Sequence, residues 1–338
     1  MTISRAACIG GGVIGAGWAA RLLLNGIDVA IFDPDPEAAR KVGEVLDSGR
    51  RAYSQMLPRG LPDEGRLEHV ATIADAVADA ELIKESVPER LDLKHRVLAE
   101  VDKHMRPDAI VASSTSGIKP TDMQPAMDQH AERLVVAHPF NPVYLLPVVE
   151  IVGGEQTSAE TVEQAISLYR AIGMKPIHVK KEIEAFVADR LLEAIWRESL
   201  WLIKDGICTT EDLDNIVRYG FGLRYAQMGI FETYRVAGGE AGMRHFLAQF
   251  GPCLKWPWTR LMDVPELDDQ LVDLIAGQSD EQSGHLSIRE LERARDDNLV
   301  AIMAALARQN GGKGWGAGEV YNRYVHLLSA RAGASKQG

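Results

Sequence analysis

The sequence is poor in cysteine: its 338 residues hold three, Cys8, Cys208 and Cys253. They lie far apart, and none sits in a CxxC or in a spacing that suits zinc. That argues against a disulfide framework and against a metal site, and for a reducing compartment, the cytoplasm. No apolar run approaches the ~20 residues of a membrane-spanning helix. The start, MTISRAACIGGG, enters a strand and a glycine turn at once, so no signal peptide is expected there. Positive charge is also short, with 37 basic against 48 acidic groups and a formal net charge of −11. That balance disfavours nucleic acid or an anionic membrane as a partner. Repeats and low-complexity stretches are missing. What remains is an ordinary globular composition, 46% hydrophobic and 25% charged, in a chain long enough for two domains.

The first hundred residues read as a dinucleotide fold. Ala6 to Ile9 is a short strand that enters Gly10-Gly11-Gly12-Val13-Ile14-Gly15, a GxGxxG. A helix continues over Trp18 to Leu24, Asn25-Gly26 closes it, and Ile27 to Phe32 is the next strand, ending at Asp33. In this motif the first glycine makes the tight turn and the second lets the backbone approach a pyrophosphate. The third lets helix pack on strand, and the pyrophosphate rests on the helix N-terminus. Asp33 lies 18 residues past Gly15, the place of an acid that binds the ribose 2′-hydroxyl. Such an acid repels a 2′-phosphate, so NAD is expected rather than NADP. A helix is expected over Pro36 to Arg59, with Arg50-Arg51 either solvated or facing a phosphate. Leu82 to Val87 is a further strand, with Glu89 and Lys94 at the ligand-facing end of the sheet.

The chemistry is expected between Arg133 and Gly154. Leu134 to Ala137 is a short buried strand ending at His138, and Pro139, Pro142 and Pro147 stiffen the loop that follows. Val148 to Val152 is a second strand that carries Glu150 in an apolar run. A buried carboxylate needs a partner, and the nearest candidate is His138. Together they make a general base with a fixed tautomer; taken separately, they read as a structural histidine and a surface glutamate. Upstream, Ser113-Ser114-Thr115-Ser116-Gly117 follows the strand Ala109 to Ala112. Its hydroxyls either build a turn or face a nicotinamide and a substrate oxygen. Thr157 to Ile172 reads as a helix and Lys175 to Val179 as the last strand. The expected boundary falls near Lys180-Lys181, giving domains 1–180 and 181–330. The fold class is α/β: an N-terminal doubly wound, mostly parallel Rossmann-type sheet, followed by an all-helical domain.

In order and spacing, the GxGxxG, the Glu-Ser-Val-Pro-Glu strand end, the Ser-Ser-Thr-Ser-Gly turn, His-Pro-Phe-Asn-Pro and Glu150 resemble the 3-hydroxyacyl-CoA dehydrogenase family. The resemblance covers nearly the whole chain. It implies that His138 is the catalytic base and Glu150 its partner, that Ser116 hydrogen-bonds the reacting oxygen, and that Asn141 serves the same loop. It also implies that Glu89 and Lys94 line the cofactor, and that the second domain dimerises and closes over the substrate. One position departs from the pattern. Asp189 stands where acyl-CoA enzymes carry an asparagine, so an acyl-CoA role is not carried over to it. The wording of AHPFNPVYLLPVVEIVGG and RYGFGLRYAQMGIFETYRVAGGEAGMRHF is most similar to the members that oxidise L-carnitine.

The second half reads as helical. One long helix is expected over Glu182 to Asp205, another over Leu213 to Tyr219, and further ones over Asp268 to Ala276 and Ser287 to Arg308. An aromatic-rich loop follows Tyr219, with a loose tail from Ala332. Aromatics here are core residues or a cage for a quaternary ammonium, which carnitine carries. The candidates are Phe140, Tyr144, Trp196, Tyr219, Phe221, Tyr225, Phe231 and Tyr234. Asp189 either adds a negative charge for that cation or pairs with Arg190 or Arg197. Arg190, Arg197 and Arg224 are candidate clamps for the substrate carboxylate. Two rival readings stand beside L-carnitine oxidation. One is another 3-hydroxy acid or short 3-hydroxyacyl-CoA, whose 3′-phosphate the Arg50, Arg51 and Arg59 region would meet. The other is a non-catalytic NAD-binding protein.

Overall fold

The structure is a computed structural model that describes residues 3–58, 60–226, 229–237, 242–250, 257–261, 268–271, 273–274 and 285–334. Arg59, Cys253, Trp256 and part of the helix expected over Asp268 to Ala276 lie outside the described residues. The chain divides into two compact units, Met1–Val187 with Arg293–Gly338, and Ala188–Glu292. This division differs from the expected 1–180 and 181–330 chiefly in returning the last helices to the first unit.

The first unit holds one eight-stranded sheet. Its strands are β1 (Arg5–Ile9), β2 (Asp28–Phe32), β3 (Leu67–His69), β4 (Leu82–Glu85), β5 (Ile110–Ser113), β6 (Leu134–Pro139), β7 (Val148–Gly153) and β8 (Lys175–Val179). They lie in the order β3-β2-β1-β4-β5-β6-β7-β8. Every neighbouring pair is parallel except β6 with β7, which is antiparallel. The helices are α1 (Val13–Leu23), α2 (Ala38–Met56), α3 (Ile73–Val77), α4 (Leu91–His104), α5 (Pro120–Met123) and α6 (Ala159–Ala171). They cover both faces, and the strand pattern shows why. Ala6 and Cys8 of β1 enter one core with α1, α2 and α6; Ala7 and Ile9 enter the other with α3 and α4. A strand buried on both faces has no polar side to show, so it reads as a continuous apolar run. The doubly wound, mostly parallel sheet is the one expected, and it puts the strand ends after β1, β4, β5 and β6 along one edge.

The second unit, taken alone, is helical among its described residues. It contains α7 (Ala188–Lys204), α8 (Thr210–Ile216), α9 (Gly222–Tyr225), α10 (Gly229–Ala237) and α11 (Gly242–Phe250). A capping box starts α8, where the Thr209 side chain accepts from the Asp212 N–H and the Asp212 carboxylate accepts from the Thr209 N–H. α12 (Ile288–Ala307) and α13 (Ala317–Ala334) follow, and their residues from Arg293 onward belong to the first unit.

Two expectations need correction. The helix expected from Glu182 begins only at Ala188, because Ala185 (φ 59°) and Phe186 (φ 47°) are left-handed and no α-helix passes through them. The aromatic-rich loop after Tyr219 is mostly helical instead: a turn over Val217–Phe221, kinked at Gly220 (φ −113°, ψ −116°), leads into α9, and Phe231 and Tyr234 sit on α10. No helix among the described residues is long and apolar enough to cross a membrane.

Candidate active site

The glycine turn between β1 and α1 is built as the motif requires. Gly10 has φ 101°, and a Cβ there would sit 2.7 Å from the Ser86 carbonyl oxygen. A Cβ on Gly15 would lie 1.8 Å from the Gly10 carbonyl oxygen, so helix and strand meet with no room for a side chain. Gly12 differs, since a Cβ on it would meet nothing within 4 Å. It caps α1 without a side-chain hydrogen bond, no acidic residue stands in the first turn, and Val13 beside it is exposed. The open backbone and bare helix N-terminus fit a dinucleotide pyrophosphate. Asp33 follows β2, and its carboxylate accepts from the Gly11 N–H (2.6 Å) and the Asp35 N–H (2.8 Å). The acid is thereby fixed against the glycine turn, where a ribose hydroxyl would meet it. Ile14, the remaining residue of the motif, packs against the α1 core. These residues fit NAD.

His138 and Glu150 face each other directly across the antiparallel β6–β7 pair. His138 Nδ1 lies 2.9 Å from Glu150 Oε2, and both side chains are buried. A carboxylate only accepts, so Nδ1 carries the proton and the imidazole lone pair falls on Nε2. Glu150 Oε1 accepts a second bond, from the Val187 N–H (3.1 Å). The rings of Phe140 and Phe186 each lie 5.7 Å from the His138 ring. The left-handed pair that stops the expected helix thus delivers Phe186 to the histidine and the next N–H to its carboxylate. Sequence patterns carry no sign of this contact, because periodicity says nothing of a non-glycine left-handed turn.

The hydroxyl turn after β5 proves to be mostly structural. Ser113 Oγ donates to Glu85 (2.5 Å), Ser114 Oγ accepts from Trp18 Nε1 (3.0 Å), and Thr115 Oγ1 donates to Glu89. Ser116 differs: its N–H reaches Glu89 (3.2 Å), while its side chain is exposed with no protein partner among the described residues. Asn141 is exposed in the loop after His138. Lys94 is 1% exposed, and its ammonium contacts both oxygens of the buried Glu85 (2.9 and 3.1 Å) and lies 3.5 Å from Glu89. Lys94 is therefore an ion-pair partner that holds two carboxylates at the sheet edge, rather than a side chain open to a ligand. Breaking such a pair from one side costs about 3–5 kcal/mol. Burial would raise the Glu89 carboxyl, but the Thr115 hydroxyl, the Lys94 charge and the Gly117 N–H outweigh it and hold the group below its usual range. Glu85, the first residue of the Glu-Ser-Val-Pro-Glu strand end, carries no role in the sequence reading. It is a carboxylate in an apolar strand, as Glu150 is, and the same argument finds it.

Several sequence candidates take other roles. Tyr144 is buried and its hydroxyl donates to Asp296 (2.5 Å), so it is no open face for a cation. Arg50 grips Glu64 with two bonds (2.8 and 2.6 Å) and also meets Asp47, and Arg51 pairs with Asp297. Neither arginine is left for a phosphate. Within the second unit, Tyr219 (77%) and Phe231 (79%) are highly exposed, Trp196 is exposed, and Phe221 packs on Tyr225 with centroids 5.4 Å apart. Tyr234 stacks on Phe246 at 4.7 Å. Arg197 lies 3.5 Å from Glu193 one turn back, Asp189 opens α7, and Arg190 and Arg224 are exposed.

Two family models match the chain: "3-hydroxyacyl-CoA dehydrogenase, NAD binding domain" over residues 5–183 and "3-hydroxyacyl-CoA dehydrogenase, C-terminal domain" over residues 186–273. Over 330 residues the chain is 73% identical to an L-carnitine dehydrogenase of Mesorhizobium japonicum, covering 98% of this chain and 91% of that protein. It is 60% identical to an L-carnitine dehydrogenase/betainyl-CoA thioesterase of a Rhizobium species, covering 98% of this chain and 66% of that longer protein. Among solved structures, an NAD⁺-dependent 5-formyl-3-hydroxy-2-methylpyridine 4-carboxylic acid 5-dehydrogenase superposes with a TM-score of 0.76 at 31% identity. The match covers 91% of this chain and all of that one.

Proposed function

The chain belongs to the 3-hydroxyacyl-CoA dehydrogenase family, and from that membership we propose that it oxidises the 3-hydroxyl of L-carnitine to 3-dehydrocarnitine with NAD. The observation that carries the reaction type is the buried His138–Glu150 pair, 2.9 Å apart, on the strand pair that follows the dinucleotide motif. The substrate is the one named for the 73% identical relative.

NAD, when bound, accepts the hydride from C3 of the substrate. Gly10, Gly11, Gly12, Val13, Ile14 and Gly15 hold its pyrophosphate, Asp33 its adenosine ribose, and Glu89, steadied by Lys94, the neighbouring region. His138 takes the hydroxyl proton on Nε2. Glu150 fixes the ring through Nδ1 and offsets the imidazolium charge as it develops. Ser116 and Asn141, both exposed on loops at the sheet edge, hydrogen-bond the substrate oxygen and align it. Phe140 offers an aromatic face near the histidine to the trimethylammonium group. Asp189, Tyr219, Phe221, Tyr225 and Phe231 are the further residues assigned to substrate binding. Leu191, Leu192, Ile195 and Trp196 are exposed along α7, an apolar stripe of the kind buried between copies, and the working form is a homodimer in the cytoplasm.

The test is NADH appearance with L-carnitine, D-carnitine and 3-hydroxybutyryl-CoA offered separately. Turnover of L-carnitine alone is expected. Turnover of the thioester alone would keep the fold and the base but overturn the substrate. Silence with all three would overturn the reading.

A further inference from the structure

The catalytic histidine and its carboxylate are joined by the loop 140–147, and that loop is held from behind by residues far away in sequence. Arg21 of α1 is buried, and its guanidinium donates to the carbonyls of Val143 (2.7 Å), Leu146 (3.2 Å) and Ile172 (3.1 Å). Gly17 of the same helix lets the loop close in, since a Cβ there would lie 2.9 Å from the Val143 Cβ. Tyr53 of α2 donates to the Tyr144 carbonyl (2.9 Å). The remaining supports come from α12 and α13, which lie beyond residue 273, where the matched C-terminal family domain ends. Tyr144 donates to the buried Asp296 of α12 (2.5 Å), whose other oxygen accepts two bonds from Arg295 (3.0 and 2.9 Å). The hydroxyls of Tyr324 of α13 and Tyr53 lie 2.6 Å apart, and Asn25 donates to Tyr324 (2.6 Å). The Tyr324 ring covers Gly173, where a Cβ would sit 2.1 Å from it.

A buried carboxylate is costly, and an apolar pair would fill the same space more cheaply. A directed bond to Tyr144 gives something apolar packing does not, a fixed place along the loop for the residue six positions after His138. We propose that Asp296 and Tyr144 are positioning residues: through them the C-terminal helices set the 140–147 loop, and with it Phe140, Asn141 and the approach of substrate to His138. Burial, with the Asp296 carboxylate next, pushes the Tyr144 hydroxyl well above its ordinary range, so it stays a donor at any working pH.

This inference rests on the carnitine reading, and the experiment separates the two. Tyr144→Phe removes only the hydroxyl, and Asp296→Leu keeps a similar shape while removing both acceptor oxygens. Both are compared with the unaltered enzyme for kcat and KM with L-carnitine, for NAD affinity by titration, and for Tm. A displaced loop is expected to lower kcat by about 10- to 100-fold, as small misplacements of reacting groups do, with NAD affinity unchanged. The double variant should lose no more than the worse single one, because both break the same contact. A fall in Tm with kcat unchanged would make the contact purely structural and overturn the proposal. Loss of NAD affinity in parallel with kcat would overturn it too, by showing a general defect of the dinucleotide fold. If Tyr144→Phe fails to fold, Asp296→Leu decides the matter alone. An unaltered enzyme inactive on L-carnitine would instead count against the substrate assignment.

Discussion

Lys84 lies on β4 with a side chain 0% exposed, among Cys8, Trp18 and Tyr169. Its Nζ hydrogen-bonds the Tyr169 hydroxyl (3.1 Å) and the Ala137 carbonyl (3.3 Å) and sits 4.1 Å from the Trp18 ring centroid. Burial depresses its ammonium from the ordinary 10.5 to about 7, with the nearby Cys8 and Glu85 only partly opposing. The sign follows. Between pH 7 and 10.5 the unfolded chain holds this proton and the folded one does not, so stability rises with pH by up to about 1.4 kcal/mol per pH unit. Allowing for half-titration at the lower end, the gain from pH 7 to pH 9 is about 2 kcal/mol. Above pH 9 the trend reverses in part. The Cys8 thiol, pushed up to about 12 by burial, keeps a proton that the unfolded chain releases. Lys84→Met removes the charge at similar length. Chemical denaturation at pH 7 and pH 9, followed by tryptophan fluorescence, should show the pH-dependent gain in the unaltered protein and its loss in the variant. Contributions common to both proteins cancel in the comparison. Identical pH dependence in both proteins would refute the burial argument.

Glu150→Gln should lower kcat by about 10²–10⁴-fold, the range of general-base contributions, while NAD titration stays as before; loss of NAD binding would make Glu150 structural. The glycine turn separates fold from ligand. Gly15→Ala forces a Cβ onto the Gly10 carbonyl, so it should abolish NAD binding and lower Tm. Gly12→Ala has open space, so it should fold with unchanged Tm and weaken only NAD, and a fall in its Tm would contradict the geometry. Asp189→Asn should raise KM for L-carnitine without changing NAD affinity, and an unchanged KM would remove the charge at that position from substrate binding.

The parts of this protein legible in its sequence are those fixed by short-range constraint. The glycine turn is one, since Gly10 and Gly15 exclude any side chain for reasons of local backbone approach. The β6–β7 pair is another. A proline-stiffened loop joins two apolar runs, and the carboxylate in the second run finds His138 directly across the strands. The hydroxyl turn was legible as polar but not in its division of labour, because Glu85, Trp18 and Glu89 are assigned to it by the packing of separate strands and helices. The least legible features depend on partners distant in sequence. Tyr144 and Asp296 are separated by 152 positions, and Arg51 and Asp297 by 246. Helical periodicity places each on a face and says nothing of what that face meets. The left-handed Ala185-Phe186 step is likewise set by the docking of Phe186 on His138, against the local preference of both residues.

The proposed reaction passes hydride from C3 of L-carnitine to NAD on this one chain. Mass analysis of the NADH formed from L-carnitine deuterated at C3 tests it directly. The NADH formed should carry the deuterium, and none should form when His138→Ala replaces the unaltered enzyme, because turnover ceases. Unlabelled NADH, or labelled NADH formed at full rate without His138, would contradict it.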